Sequence, residues 1–436
     1  MSKKSRLIVL CGAVLCSQYL CAQSRTMGIE EMFRLADENS KSIQTFHTGK
    51  EVADENLKAA KAQRLPDISA SLSGSYWGNG KLWDRDFSNA TKIEMPHWGN
   101  NFALEAQLAV YAGGAISSGI EQAELEKQLA EMDWQKNRQD IRFLLVGHYL
   151  NLYKLNNQIE VLHKNLELTD QIIANMQARL EQGTALQNDI TRYELQRETL
   201  RLQLAKVEDA CKIANHQLVT TLHLPEGTVV QPDTTLNDSQ IQTQSEASWQ
   251  ELAAQNNLNL QQAETGIKIN RQREKLERSE RLPKISLMAA EHLDGPITIE
   301  VPVLDNNFNY WFVGVGVKYN ISSLFKNNRK LKAARLNVRK AQETYELVQE
   351  QTNHAVQESY VNFLTSFTDL RTQQKSVELA DENYSVTSNR YQNDLALLTD
   401  MLDASNMKLS ADMGLVNARI NVIFNYYKMK YITHTL

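Results

Sequence analysis

Few residues in this chain interrupt regular structure. It has seven prolines in 436 residues, and none falls between Ala115 and Leu180, where Gly119 and Gly147 are the two interior glycines. A loop-rich fold over that stretch is excluded. Of the four cysteines, Cys11, Cys16 and Cys21 lie within the first 22 residues, so the rest of the chain keeps Cys211 alone and can form no internal disulfide. Cys211 falls on an apolar helical stripe, the setting of a buried, inert thiol. After the N-terminal segment no run of 18 apolar residues occurs, which excludes a transmembrane helix. Any membrane-embedded part would have to be built of strands. The nine histidines (47, 97, 148, 163, 216, 223, 292, 354 and 434) form no HxxxH or HExxH pair, so no metal centre follows. A GxSxG turn, a phosphate loop and a dinucleotide fingerprint are also missing, which argues against an enzyme and against a cofactor.

The N-terminus reads as a secretory signal over residues 1–22. Lys3, Lys4 and Arg6 precede an apolar run from Leu7 to Leu15, then a polar step to Ala22, with cleavage expected before Gln23. A lipoprotein would use Cys21 or Cys16, but each follows a leucine where that signal wants a small residue. Removing the leader takes away three cations and lowers the formal charge from −5 to about −8. That balance argues against a nucleic-acid partner.

What the chain does have is a long helical seam. From Ile141 the positions Ile141, Leu145, His148, Leu152, Leu155, Ile159, Leu162, Leu166, Thr169, Ile173, Met176 and Leu180 step by four and three, with His148 and Thr169 as the polar members. This is the spacing of a left-handed coiled coil. At ~1.5 Å per residue the whole proline-free stretch from Ala115 to Leu180, about 66 residues, predicts a rod of roughly 100 Å. Such a length must itself serve the function.

The chain also repeats itself. Arg64-Leu65-Pro66-Asp67-Ile68-Ser69 recurs as Arg281-Leu282-Pro283-Lys284-Ile285-Ser286, and the run from Arg179 to Asp189 resembles that from Arg390 to Asp400. The nearly constant offset reads as a duplicated unit of roughly 200 residues, too long for a solenoid repeat. In each copy a lead-in helix (Ile29 to Leu65; about Ser248 to Leu282) ends before proline. Two strands follow, expected at 67–77 and 101–111 in the first copy and at 284–292 and 310–320 in the second. A long helix comes next (115–182; 330–390) and then a returning helix (188–223; 399–434). The first unit is thus 23–223 and the second 248–436. The segment 224–247, with Pro225, Gly227 and Pro232, is a linker or small side element.

The strands alternate with period two. Ile68, Ala70, Leu72, Gly74 and Tyr76 face one way, and Asp67, Ser69, Ser71, Ser73 and Ser75 the other. Phe102, Leu104, Ala106, Leu108 and Val110 oppose Glu105 and Gln107. Trp311, Val313, Val315, Val317 and Tyr319 oppose Gly314, Gly316, Lys318 and Asn320. About ten residues is what a tilted membrane strand needs. Tyr76, Trp77, Trp98, Tyr310 and Trp311 at one end, and Tyr111, Tyr319 and Phe325 at the other, suit two interfacial girdles. On this reading Trp77, Trp83 and Trp98 belong to a girdle and external loop rather than a sugar-binding surface. Four strands cannot close, and an open edge in hydrocarbon leaves amides unpaired. Three copies would share one twelve-stranded barrel with a wet lumen. A basic run (Lys326, Arg329, Lys330, Lys332, Arg335, Arg339, Lys340) reads as a solvated helix face. The acidic first-copy counterpart (Glu121, Glu124, Glu126, Glu131) is expected to face it around the barrel base.

With these parts in place the mature chain resembles the TolC family of outer-membrane efflux and secretion ducts. The resemblance rests on the duplicated order, Arg-Leu-Pro before each first strand, and Tyr111-Ala112-Gly113-Gly114 before the first long helix. It rests also on the tips: Ala178-Arg179-Leu180 with Gly183 and Asp189, then Arg390-Tyr391 with Thr399 to Ala404. The implied fold is mainly α with a small β part, namely long coiled-coil hairpins plus four transmembrane strands per protomer. A homotrimer would set a twelve-stranded barrel, bounded by outer-membrane lipid, on a helical tunnel in the periplasm. It implies docking onto a periplasmic adaptor and an inner-membrane pump through Gly183, Thr184, Ala185, Leu186, Asp394, Leu395, Ala396 and Leu397. It also implies a periplasmic gate at Asp400, Asp403 and Tyr391. The chain departs from the family where Asp394 replaces a frequent glycine and Ala396 a basic residue, so a closing ion pair is missing there. The rival reading is a pore-less periplasmic coiled-coil scaffold or adaptor. Efflux and protein secretion share these features, so the cargo and the particular pump are not written in the sequence.

Overall fold

The computed structural model describes residues 24–233, 241, 244–297, 303–393 and 395–436. The expected leader 1–22 with Cys21, residues 234–240 and 242–243 of the expected linker, and Asp394 lie outside them.

In chain order the elements are β1 (Ser24–Met27), α1 (Ile29–Asn39), α2 (Lys41–Ala62), β2 (Asp67–Tyr76), β3 (Gly80–Leu82), β4 (Thr91–Ile93) and β5 (Trp98–Tyr111). Then come α3 (Ala115–Glu181), α4 (Gln187–Thr221), β6 (Val229–Pro232), α5 (Glu246–Asn256) and α6 (Leu258–Ser279). The chain continues through β7 (Lys284–Gly295), β8 (Phe308–Lys318), α7 (Ser323–Lys326), α8 (Asn328–Gln392) and α9 (Leu398–Ile432). The chain divides into two compact units. One holds Thr48–Met132 and Gln261–Leu347; the other holds Asp133–Leu260, Val348–Leu436 and the segment ending at His47.

The helical unit is organised by the seam. Leu145, Leu152, Leu155, Leu162, Thr169, Ile173 and Met176 are buried along α3. Its main core joins Met27, Met32 and Phe33 to Leu145, Tyr149 and Leu152 of α3, Leu218 and Leu222 of α4, and Ile420 and Ile423 of α9. Here the expected linker forms a side element. β6 pairs in parallel with β1, Ser24 opposite Val229 through Met27 opposite Pro232. Buried Tyr149 ties the pair to α3: its hydroxyl donates to the Met27 carbonyl and accepts from the Asp233 N–H, both at 2.8 Å. Burial pushes that phenol up to about 12. His148, on the same stripe, is pushed below its ordinary value by burial. Cys211 is half-buried, with its thiol raised by burial, which disfavours the reactive thiolate.

Each lead-in helix is two helices, not the single ones expected over Ile29–Leu65 and Ser248–Leu282. The breaks fall at Ser40 and Asn257, equivalent positions in the two copies. Ser40 is buried with ψ 122°, and Asn257 has ψ 113°. The Asn257 Oδ1 accepts from the N–H groups of Asn259 and Leu260, capping α6, while its Nδ2 donates to the Ile432 carbonyl at 3.0 Å. A side chain that bonds its own backbone competes with helix continuation.

The other unit carries the sheet. It is antiparallel in the order β2-β5-β7-β8, so β2 and β8 are its two edges. The external segment between β2 and β5 holds a small hairpin, β3 with β4. Gly113 and Gly114, with φ +64° and +86°, turn the chain from β5 into α3; a Cβ on Gly113 would stand 2.8 Å from the Ser279 carbonyl. No L side chain fits there without displacing α6.

Candidate functional site

The strand register decides what each face of the sheet presents. Ile68, Ala70, Leu72 and Tyr76 stand opposite Ala106, Leu104, Phe102 and Trp98. Beyond β5 the same face carries Leu287, Ala289 and Leu293, with Glu291 as a charged member between the last two, opposite Leu104 and Trp311; on β8 it carries Val317, Val315, Val313 and Trp311. This apolar face is exposed: Leu72 is 79% accessible, Val313 69% and Val317 68%. The other face pairs Asp67 with Gln107, Ser69 with Glu105 and Ser73 with Asn101. One extra residue between Ala109 and Tyr111 brings Tyr111 opposite Ile285, onto the apolar face. A bulge re-aims a side chain in this way. Tyr310 is different. It pairs with His292 on the polar face, so it cannot belong to the girdle assigned to it; Trp311 beside it can.

The charge rows of α3 and α8 have partners within the chain. Glu121 and Glu126 face Lys275 and Arg273 of α6 at 3.9 and 3.7 Å, and Glu131 pairs with Lys50 of α2 at 2.7 Å. Arg335 pairs with Glu274. Glu121, Glu126 and Glu131 thus meet cations of neighbouring helices in the same chain. Much of the basic run of α8 remains exposed.

The tip is built by helix-closing geometry. Gly183, φ +76°, donates to the Leu180 carbonyl, and Thr184 N–H reaches back to the Arg179 carbonyl at 2.9 Å. This is a Schellman closure. The second copy repeats it with Leu395 N–H on the Arg390 carbonyl at 2.8 Å. Leu186 and Leu397 are the extended residues that start α4 and α9. Leu186, Leu395 and Leu397 are each about two-thirds exposed, whereas Ala185 and Ala396 are half-covered and Thr184 is exposed. Beneath them lies a small core of Ile173, Met176, Ile190, Tyr193, Leu398 and Met401, flanked by Tyr384 and Tyr391. Burial holds the Tyr193 phenol well above its usual value.

The three residues expected at the gate are not equivalent. The Arg179 guanidinium lies over the Tyr391 ring at 5.6 Å and its Nη1 donates to the Tyr391 carbonyl at 3.5 Å. That contact joins the two hairpins of one chain. The Asp400 carboxylate accepts from the Leu397 N–H at 3.0 Å, so it caps α9. Asp403, one turn on, is exposed. Among the described residues no group of three His, Cys, Asp or Glu side chains could hold a metal, and no helix is long and apolar enough to cross a membrane.

A family model described as outer membrane efflux protein matches residues 33–222 and 249–424. The chain belongs to the outer membrane efflux protein family. The two matched segments leave out the residues around β6 and the segment that follows it. One curated relative is the outer membrane efflux protein BepC of Brucella suis biovar 1 (strain 1330), 20% identical over 192 residues. That match spans 44% of this chain and 39% of BepC. The fold is shared with the outer membrane protein VceC of Vibrio cholerae, TM-score 0.77 at 15% identity, covering 93% of this chain and 95% of VceC. CusC matches with TM-score 0.82 at 16% identity over 93% of this chain and 91% of its own. The CmeC outer membrane channel of Campylobacter jejuni matches with TM-score 0.75 at 14% identity, over 93% and 85%. An outer-membrane location accounts for a sheet whose apolar face is bare.

Proposed function

We propose that this protein is the passive outer-membrane duct of a tripartite export system. Three copies close one twelve-stranded barrel, and their helices continue as a tunnel through the periplasm. The tip docks on a periplasmic adaptor and, through it, on an inner-membrane pump that selects the cargo. The observation that carries this reading is the four-stranded sheet, with a mostly apolar face interrupted by Glu291, a mostly polar face opposite, and β2 and β8 as edges that pair with no other strand among the described residues. Such a sheet is stable in lipid only when its edges are joined. The duplicated segments act as two equivalent hairpins per copy, so that the tunnel mouth is lined by alternating first and second tips. Leu186, Leu395 and Leu397, with Gly183, Thr184, Ala185, Asp394 and Ala396, form the docking tip. Asp403 and Asp400 ring the mouth, and Tyr391 secures it through Arg179.

The test is extraction followed by reconstitution. The protein should leave outer membranes only with detergent, run at three times its chain mass, and give discrete conductance steps in a planar bilayer. A pore-less scaffold would wash off as a soluble chain and conduct nothing.

A further inference from the structure

On the polar face of the sheet β8 carries three rings, Phe308, Tyr310 and Phe312, in register with Asp294, His292 and Ala290 of β7. Phe308 stacks on Tyr310 with centroids 5.2 Å apart, and Tyr310 stacks on the His292 imidazole at 5.1 Å and 13°. Phe312 lies nearly parallel to His292 at 6.3 Å. Across β5 and β2 the same three rows continue as Asn101 and Ser73, Ala103 and Ser71, and Glu105 and Ser69. They therefore hold two carboxylates, Asp294 and Glu105, and neither lysine nor arginine. Asp294 accepts from the Asn101 amide and lies 3.5 Å from the Tyr310 hydroxyl. Glu105, 60% exposed, is 4.0 Å from the His292 Nε2. Beyond Phe312 the face drops to Gly314 and Gly316, and a Cβ at Gly314 would meet nothing within 4 Å. The rings thus border an open position at Gly314, in a row with Met288, Gln107 and Asp67, while the Met288 side chain covers Gly316.

A wet lumen needs no phenyl rings, and rings exposed to water beside unbalanced carboxylates are poised for one class of ligand. Ring faces attract cations by about 0.5–2 kcal/mol, and flat groups stack on them. We infer that this patch is a transit subsite for organic cations that carry an aromatic ring, one subsite in each copy. The ligand's ring lies against Tyr310 and Phe312 beside the open Gly314, and its cationic centre sits beside Glu105. Binding must be weak, because a conducting site has to release what it holds. The inference rests on the duct reading, which puts this face in the lumen.

The experiment is block of the reconstituted channel by benzyltrimethylammonium, added from the side opposite the tip, with tetramethylammonium as the ring-free comparator. The parent should be blocked at lower concentrations of the benzyl compound. Tyr310→Leu with Phe312→Leu should raise its half-blocking concentration about tenfold and remove the difference between the two cations. Glu105→Gln, on an exposed side chain that folding does not need, should weaken block by both cations. Trp311→Leu on the opposite face should change neither. Block by an inorganic multivalent cation should persist in the Leu double variant, which keeps the acidic mouth separate from the patch. Equal block of the parent by both cations, or unchanged block in the Leu and Gln variants, would overturn the subsite and leave the duct intact. A parent that gives no conductance steps would overturn the duct reading itself.

Discussion

Asp37 is clamped by two arginines of α3: Arg138 Nε and Nη2 reach its oxygens at 2.9 and 2.6 Å, and Arg142 Nη2 at 2.6 Å. Burial alone would raise this carboxyl, but the hydrogen bonds and charges of Arg138 and Arg142 outweigh it and hold it below the usual range. A carboxyl depressed in the folded state stabilises above its unfolded value of about 3.9 and loses that contribution as pH falls through the folded one. Asp37→Asn should therefore cost roughly 1–3 kcal/mol at pH 7, seen as a lower melting temperature by circular dichroism. The gap from the parent should shrink steadily below about pH 4; an undiminished gap there would contradict the assignment. On the sheet, Leu108, opposite Leu287, and Gln107, opposite Asp67, point to opposite faces. Leu108→Arg should lose roughly 2–4 kcal/mol by putting a charge in lipid, whereas Gln107→Arg should be tolerated in the lumen. Trimer yield in outer membranes compares them, and equal loss would mean that the faces are exchanged or not distinguished.

At the scale of elements, the residues proposed to dock stand outside the core that stabilises the tip. Leu186 and Leu397 are exposed starts of α4 and α9 and contribute little to the core beneath. Leu186→Ser with Leu397→Ser should abolish export in cells while trimers assemble normally; intact export would move the docking surface elsewhere. Asp403→Asn should relieve block by multivalent cations with little change in stability. Asp400→Ala should also remove the cap bond from the Leu397 N–H, costing about 0.5–2 kcal/mol, so a thermal shift distinguishes the two. The elements differ in how legibly they are written. The alternation in Ile68 to Tyr76 and Trp311 to Val317 could be read directly, because a strand fixes side-chain direction with a period of two. The seam of α3 was legible for the same reason at a period near three and a half. The breaks at Ser40 and Asn257 were not, because a polar residue inside a helix looks ordinary until its backbone partners are seen. The β1–β6 pair joins segments some 200 residues apart and has no local signature. His223 and His434, with φ +51° and +55°, close α4 and α9 at equivalent positions in the two copies. Glycine is the residue that marks such a closure in a sequence, and histidine carries no such signal. Tyr310 was read as girdle because its neighbour Trp311 is aromatic too, and a shift of one residue exchanges lipid for lumen.

For the molecule as a whole, the central claim is that one face of the sheet meets lipid and the other water. Single cysteines placed at 101 to 108 along β5, in a background with Cys211→Ala, test it in native outer membranes with a charged, membrane-impermeant thiol reagent. Positions 101, 105 and 107 should react, and positions 102, 104, 106 and 108 should stay protected until detergent disrupts the membrane. Uniform reaction at both sets, or the reverse pattern, would contradict the barrel.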